Sequence, residues 1–120
     1  MTNHIQPGDI LLFVFPKNNP KGHEQEGIRP AIVIVPPKEN SRYPVTIVIP
    51  LTTQSGEWAH NTKLYRKIPA GEGGLPQDSI ALIDQVRAMD VRRIKAYIGK
   101  VRSDVLEDIK KLLIDLIKEC

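Results

Sequence analysis

The chain has 120 residues, 41% of them hydrophobic, which suits a single domain spanning residues 1–120 with a buried core. Its 17 basic and 14 acidic residues leave a net charge of +3, which permits nucleic acid as a partner without demanding it. The one cysteine, Cys120, allows no internal disulfide and fits a reducing compartment. No apolar run reaches bilayer length, and residues 1–6 lack the regions of a signal peptide. The expectation is therefore a soluble, cytoplasmic protein with no membrane partner.

Ten prolines and eight glycines punctuate short apolar runs, a pattern that predicts a mainly β fold. Pro7-Gly8-Asp9 introduces a first strand over residues 10–15. A polar loop, 16–28, leads into a second strand at 29–35, and a third follows at 45–51. Residues 52–60 are polar and loop-like. An exposed fourth strand is expected at 63–68, a glycine-rich turn at 70–77, a fifth strand at 79–86 and a sixth at 96–101. Residues 92–95 read as a short helical turn. From Val105 to Ile117 apolar residues recur at helical spacing, which predicts a helix over about 103–117. Ser103 or Asp104 would cap it, and Asp104-x-x-Glu107 has the form of a capping box. The sum is a small, strongly bent sheet or barrel closed by a C-terminal helix.

Three stretches could carry chemistry. In "GHEQEGIRP", Pro30 drives Arg29 toward extended backbone and so fixes a planar fork of donors suited to phosphate. The plainer reading is a surface salt bridge of Arg29 with Glu24 or Glu26. In "IPLTTQSGEW", Thr52, Thr53, Gln54 and Ser55 offer hydroxyls and an amide to phosphate or base edges; they also suit an ordinary strand-ending turn. In "SIALIDQVRAMD", Asp84 interrupts an apolar run and, if buried, must find donors, with Arg87 or backbone amides as natural ones. His23 and His60 fall in the two polar loops, where a histidine pair could serve acid–base chemistry, although exposed loop histidines are the simpler reading. No Cys/His spacing suits zinc, and no glycine-rich loop opens a helix, so neither metal nor nucleotide cofactor is expected.

Taken together, "PGDI", "GHEQEGIRPAIVI", "IPLTTQS", "DSIALIDQVRAMD" and the terminal helix resemble the MazF/PemK (Kid) family of toxins from type II toxin–antitoxin modules. The resemblance runs from Pro7 to Ile117, and Glu24-Gln25-x-Gly27-x-Arg29-Pro30 is its most specific element. It implies an SH3-like barrel of the CcdB/PemK kind with a C-terminal helix, usually a homodimer. It also implies a metal-independent, sequence-specific endoribonuclease that cuts single-stranded RNA. Arg29 and Thr52 match the family's active pair, and Glu24 and Gln25 match a loop over the RNA groove. The implied partners are single-stranded RNA and a cognate antitoxin whose acidic, partly disordered C-terminal segment would lie over the groove near Arg29. His23 stands where a small residue is common, and residues 38–44 and 56–64 do not align cleanly.

Cutting RNA through its own 2′-hydroxyl requires a base, stabilisation of the phosphorane charge and a proton for the departing 5′-oxygen. Arg29 meets the second need and can donate toward the third, but it holds its proton too firmly to be the base. Thr52 can fix a non-bridging oxygen, and Glu24 or His23 is the candidate base. Gln25, His23, Thr53, Gln54, Ser55, Trp58, Gln85 and Arg87 are expected to bind substrate, with Trp58 and Tyr65 available for base stacking. The same fold also serves toxins that poison DNA gyrase and could serve a silent binding module. The Glu-Gln-x-Gly-x-Arg-Pro element favours RNA cleavage over both.

Overall fold

The computed structural model describes residues 4–17 and 22–119. Seven strands are seen: β1 (Asp9–Phe15), β2 (Gly27–Val35), β3 (Val45–Thr52), β4 (Tyr65–Ile68), β5 (Ser79–Leu82), β6 (Arg87–Asp90) and β7 (Ile94–Lys100). They are followed by one helix, α1 (Ser103–Lys118). The strands form one antiparallel sheet in the order β4-β5-β3-β2-β1-β7, with β6 paired to β3. This is the mainly β architecture expected, and among the described residues its hydrogen-bonded path has β4 and β7 as its ends. Cys120 and residues 18–21 of the first polar loop lie outside the described residues.

Alternation along the strands sorts most of the core into two clusters, one on each face, and a small third cluster joins Ala59, Ile80 and Leu82. Ile10, Ile32, Ile49 and Leu51 face Val105 and Ile109 of α1, all nearly inaccessible. Leu11, Phe13, Phe15, Ala31, Val33, Val48 and Met89 form the second cluster on the opposite face. Burying a side chain of this size stabilises by about 1.5–3 kcal/mol, so each face has its own anchor. The "PGDI" stretch is structural. The buried Asp9 accepts from the Gln6 N–H (2.8 Å), Gly8 donates to Val33 O (2.8 Å), and Val101 donates to Gly8 O (3.1 Å). Gly99 is needed for packing, since a Cβ there would stand 2.1 Å from the Gly73 carbonyl oxygen.

Two sequence expectations are corrected here. The fifth strand does not run from 79 to 86. It ends at Leu82, a 3₁₀ turn (Ile83–Gln85) follows, and the chain re-enters the sheet as β6 beside β3. The turn is pinned by the buried Ile83, whose N–H donates to Leu64 O (2.9 Å). Second, no Asp104–Glu107 box caps α1. Arg102 is the capping residue and its side chain makes no capping bond; its own N–H donates to Glu72 Oε2 (2.7 Å), a carboxylate brought in from the glycine-rich turn. Asp104 pairs with Arg102 instead (3.1 Å), and Arg102 holds its carboxyl below the usual range. Leu106, Leu112, Leu113 and Leu116 pack partly buried against the first cluster, whereas Ile117 is 62% exposed at the edge of the stripe. Among the described residues no helix is long and apolar enough to cross a membrane.

Candidate active site

The site begins where two strands part. β2 and β3 pair in the register Val33↔Val48, Ile32↔Ile49, Ala31↔Pro50, and there the pairing ends. Pro30 and Pro50 stand at that point, and neither has an N–H to give a ladder. Beyond it β2 stays paired only to β1, as far as Phe15↔Gly27, while Leu51 and Thr52 of β3 pair with β5. The facing edges of β2 and β3 are thus unpaired, with Arg29 two residues beyond the last β2 pair and Thr52 two residues beyond the last β3 pair. Alternation puts both on the face of Ala31, Val33 and Val48. Arg87 of β6 joins that face, paired with Val48 and lying over the Phe15 ring at 5.4 Å.

Arg29 is exposed, and its Nε donates to the Glu26 carbonyl oxygen (3.2 Å). That bond uses one of five guanidinium N–H donors and goes to a neutral oxygen, not to the carboxylate of the expected salt bridge. Gly27, at φ 83°, makes the turn between them, a backbone setting that side chains rarely adopt. Thr52 is half-buried. Its Oγ1 accepts from the Gln54 N–H (3.2 Å), which leaves the hydroxyl proton free to donate.

The polar run after β3 divides by alternation. Thr52 and Gln54 line a hollow of about 290 Å³ together with His23, Gln25, Trp58 and Gln85. Thr53 and Ser55 instead line a separate hollow of about 360 Å³ beside Lys67 and Asp78. They are therefore not part of the Thr52 pocket, against their expected grouping. Tyr65 and Leu82 complete the first hollow. Trp58, 42% exposed, meets Tyr65 edge to face, with centroids 5.0 Å apart. Tyr65 donates its hydroxyl to Asp84 Oδ2 (2.9 Å). Partial burial, this hydrogen bond and the nearby negative charge raise the Tyr65 phenol above its ordinary value of 10.0.

A neighbouring hollow of about 590 Å³ is lined by Glu24, Asp84, Val86, Arg87 and Ala88, and shares His23 and Gln85 with the first. Asp84 is exposed rather than buried, and its donor is Tyr65 instead of the expected Arg87. Arg87 is held against Phe15 by its cation–π contact. Gln85, expected to read substrate, has its amide engaged with the first loop: its Oε1 accepts from the Gln25 N–H (3.0 Å) and its Nε2 donates to His23 O (3.3 Å). His60 lies exposed in the 3₁₀ turn Glu57–His60 and lines neither hollow, so the two histidines are not brought together there. Sequence reasoning passed over Leu82 and the Tyr65–Asp84 bond. The only available signal was an aromatic residue opening a short strand. Among the described residues, no group of three or more His, Cys, Asp or Glu side chains is placed to hold a metal ion.

Residues 6–117 match the model of the PemK-like, MazF-like toxin of type II toxin–antitoxin systems. The chain is 33% identical over 104 residues to the endoribonuclease toxin MazF of Escherichia coli K12, covering 86% of this chain and 85% of the relative. The crystal structure of MazF from Deinococcus radiodurans superposes with a TM-score of 0.75 at 25% identity, over 95% of this chain and 96% of that one. A mycobacterial endoribonuclease in complex with its cognate antitoxin shares the fold at 13% identity, with a TM-score of 0.70 over 95% of each chain. The chain belongs to the PemK-like, MazF-like family of type II toxin–antitoxin toxins.

Proposed function

We propose that this MazF-like endoribonuclease toxin cuts single-stranded RNA at the parted ends of β2 and β3. The observation that supports the reading is the pair of strand ends left unpaired beyond Ala31↔Pro50, which carry Arg29 and Thr52 on the face of Ala31 and Val48. The 2′-hydroxyl loses its proton to Glu24 or His23 and attacks the adjacent phosphorus. Arg29 stabilises the added negative charge, because a preorganised cation there needs no reorganisation as charge develops. The Thr52 hydroxyl donates to a non-bridging oxygen. The P–O5′ bond breaks, and the leaving oxygen takes a proton from the Arg29 guanidinium, which regains one from solvent. The products are a 2′,3′-cyclic phosphate and a 5′-hydroxyl.

The 290 Å³ hollow beside Thr52 offers room for a nucleobase, with Trp58 as a stacking surface and Gln54 as a hydrogen-bonding edge. Arg87 adds positive charge on the same face. In the cell the reading is of a cytoplasmic homodimer that cuts messenger RNA and slows growth. It is restrained by an antitoxin whose acidic C-terminal segment lies over Arg29. The test is incubation of the wild type and Arg29→Ala with a long unstructured RNA in EDTA, followed by analysis of the fragment 3′-ends. Discrete wild-type cuts ending in cyclic phosphate, lost in the variant and suppressed by the cognate antitoxin, are expected. Intact RNA across varied sequences would overturn the reading in favour of a gyrase-type target or a binding role.

A further inference from the structure

Gln85 occupies an unusual place in this site. Its one side chain bonds the backbone on both sides of Glu24, accepting from Gln25 N–H and donating to His23 O across 60 and 62 positions of sequence. Its own backbone is held in the Ile83–Gln85 turn, where Ile83 is fully buried and bonded to Leu64. Two residues beyond Glu24, the same loop presents the Glu26 carbonyl that accepts from Arg29 Nε. A continuous path therefore runs from the core, through the turn and the Gln85 amide, to the backbone around Glu24 and the head of Arg29. Gln85 also lies between the two hollows, lining both.

We propose that Gln85 is a positioning residue: a latch that fixes the His23–Gln25 segment over the Thr52 pocket and so orients Glu24 and Arg29, rather than a reader of RNA bases. The proposal rests on the nuclease reading for its catalytic consequence, but the latch itself can be measured without RNA. A loop carrying several polar residues has many accessible conformations, and one that stays mobile in the bound complex brings its reacting groups into register only part of the time. Two hydrogen bonds to one amide hold the loop in a single arrangement, which acts on the rate of the chemical step rather than on RNA affinity.

The discriminating variant is Gln85→Met, which keeps the length of the side chain and loses both hydrogen bonds. Gln85→Glu is its companion, keeping the acceptor for Gln25 N–H while losing the donor to His23 O. Amide hydrogen exchange is read on the free protein, and single-turnover cleavage and RNA affinity on the complex. In Gln85→Met, exchange at Gln25 is expected to accelerate at least tenfold while amides of β1 and β3 are unchanged. The cleavage rate should fall about tenfold, with RNA affinity within twofold of wild type. Gln85→Glu should retain Gln25 protection. Unchanged exchange at Gln25 in Gln85→Met would overturn the latch. A loss of RNA affinity or a changed cut-site preference at an unchanged rate would make Gln85 a base reader and overturn the proposal equally. If the wild type itself cuts no RNA, the nuclease reading and the catalytic consequence fall together, while exchange at Gln25 still decides whether the latch exists.

Discussion

The two halves of β2 differ in almost every respect. Ala31 and Ile32 are fully buried and paired on both sides, to β1 and to β3, and the equally buried Val33 pairs with β3 and accepts from the Gly8 N–H. Gly27, Ile28 and Arg29 are exposed and paired on one side only, with Ile28 at 55% accessibility. The change falls at Pro30. The buried half is the anchor and the exposed half is what it holds out, so a guanidinium in open solvent acquires a direction from a strand that cannot move. Stability should therefore reside in one half and activity in the other.

The largest effect expected is on stability. Ile32→Ala removes a fully buried side chain from the cluster under α1 and should cost about 2–5 kcal/mol. Denaturant unfolding would show it as a lower midpoint with an unchanged slope. The RNA-cutting rate per folded molecule, measured well below the melting temperature, should stay within about twofold of wild type. Arg29→Ala should do the reverse. It should lower the cleavage rate on the order of 100-fold or more, as loss of an oxyanion-type donor does. It should change stability by no more than about 0.5 kcal/mol, as an exposed substitution does. If Arg29→Ala unfolds as readily as Ile32→Ala, or Ile32→Ala destroys activity while folded, the division between the halves fails.

That division was partly legible in the sequence. An apolar run led by Arg-Pro shows where burial begins, and β1, β2, β3 and α1 all follow apolar runs whose period matches their structure. The rest depends on contacts that no local pattern carries. β6 was hidden because Leu82 to Val86 looks like a continuation of β5, and the new strand has one buried residue, Met89. The carboxylate at the start of α1 comes from Glu72, 30 residues away. Arg29 and Thr52 are matched as a pair only through resemblance to the family, since the end of the β2–β3 ladder at two prolines is a contact between distant segments. An amide such as Gln85 reveals nothing of its partners from its neighbours.

The smallest effect sharpens the comparison at the wall of the Thr52 hollow. Tyr65 holds Asp84 through its hydroxyl and stands against Trp58, so Tyr65→Phe keeps the ring contact and loses one hydrogen bond. Because the pair is partly exposed, the cost should be about 0.5–1 kcal/mol, the lower part of the usual range. The phenol is raised above its unfolded value, so the fold favours the protonated form. That contribution is fully present below the unfolded value of about 10 and is lost as pH climbs through the higher folded one. Denaturant unfolding of wild type and Tyr65→Phe at neutral pH and again above pH 10 should therefore show a gap that closes on the alkaline side. All other groups are common to the two proteins, so the difference between them isolates the Tyr65 hydroxyl. A gap that stays constant through the alkaline range would mean that the hydroxyl contributes nothing beyond its shape. The Trp58–Tyr65 wall would then be held by ring packing alone, as the buried half of β2 is held by apolar contact.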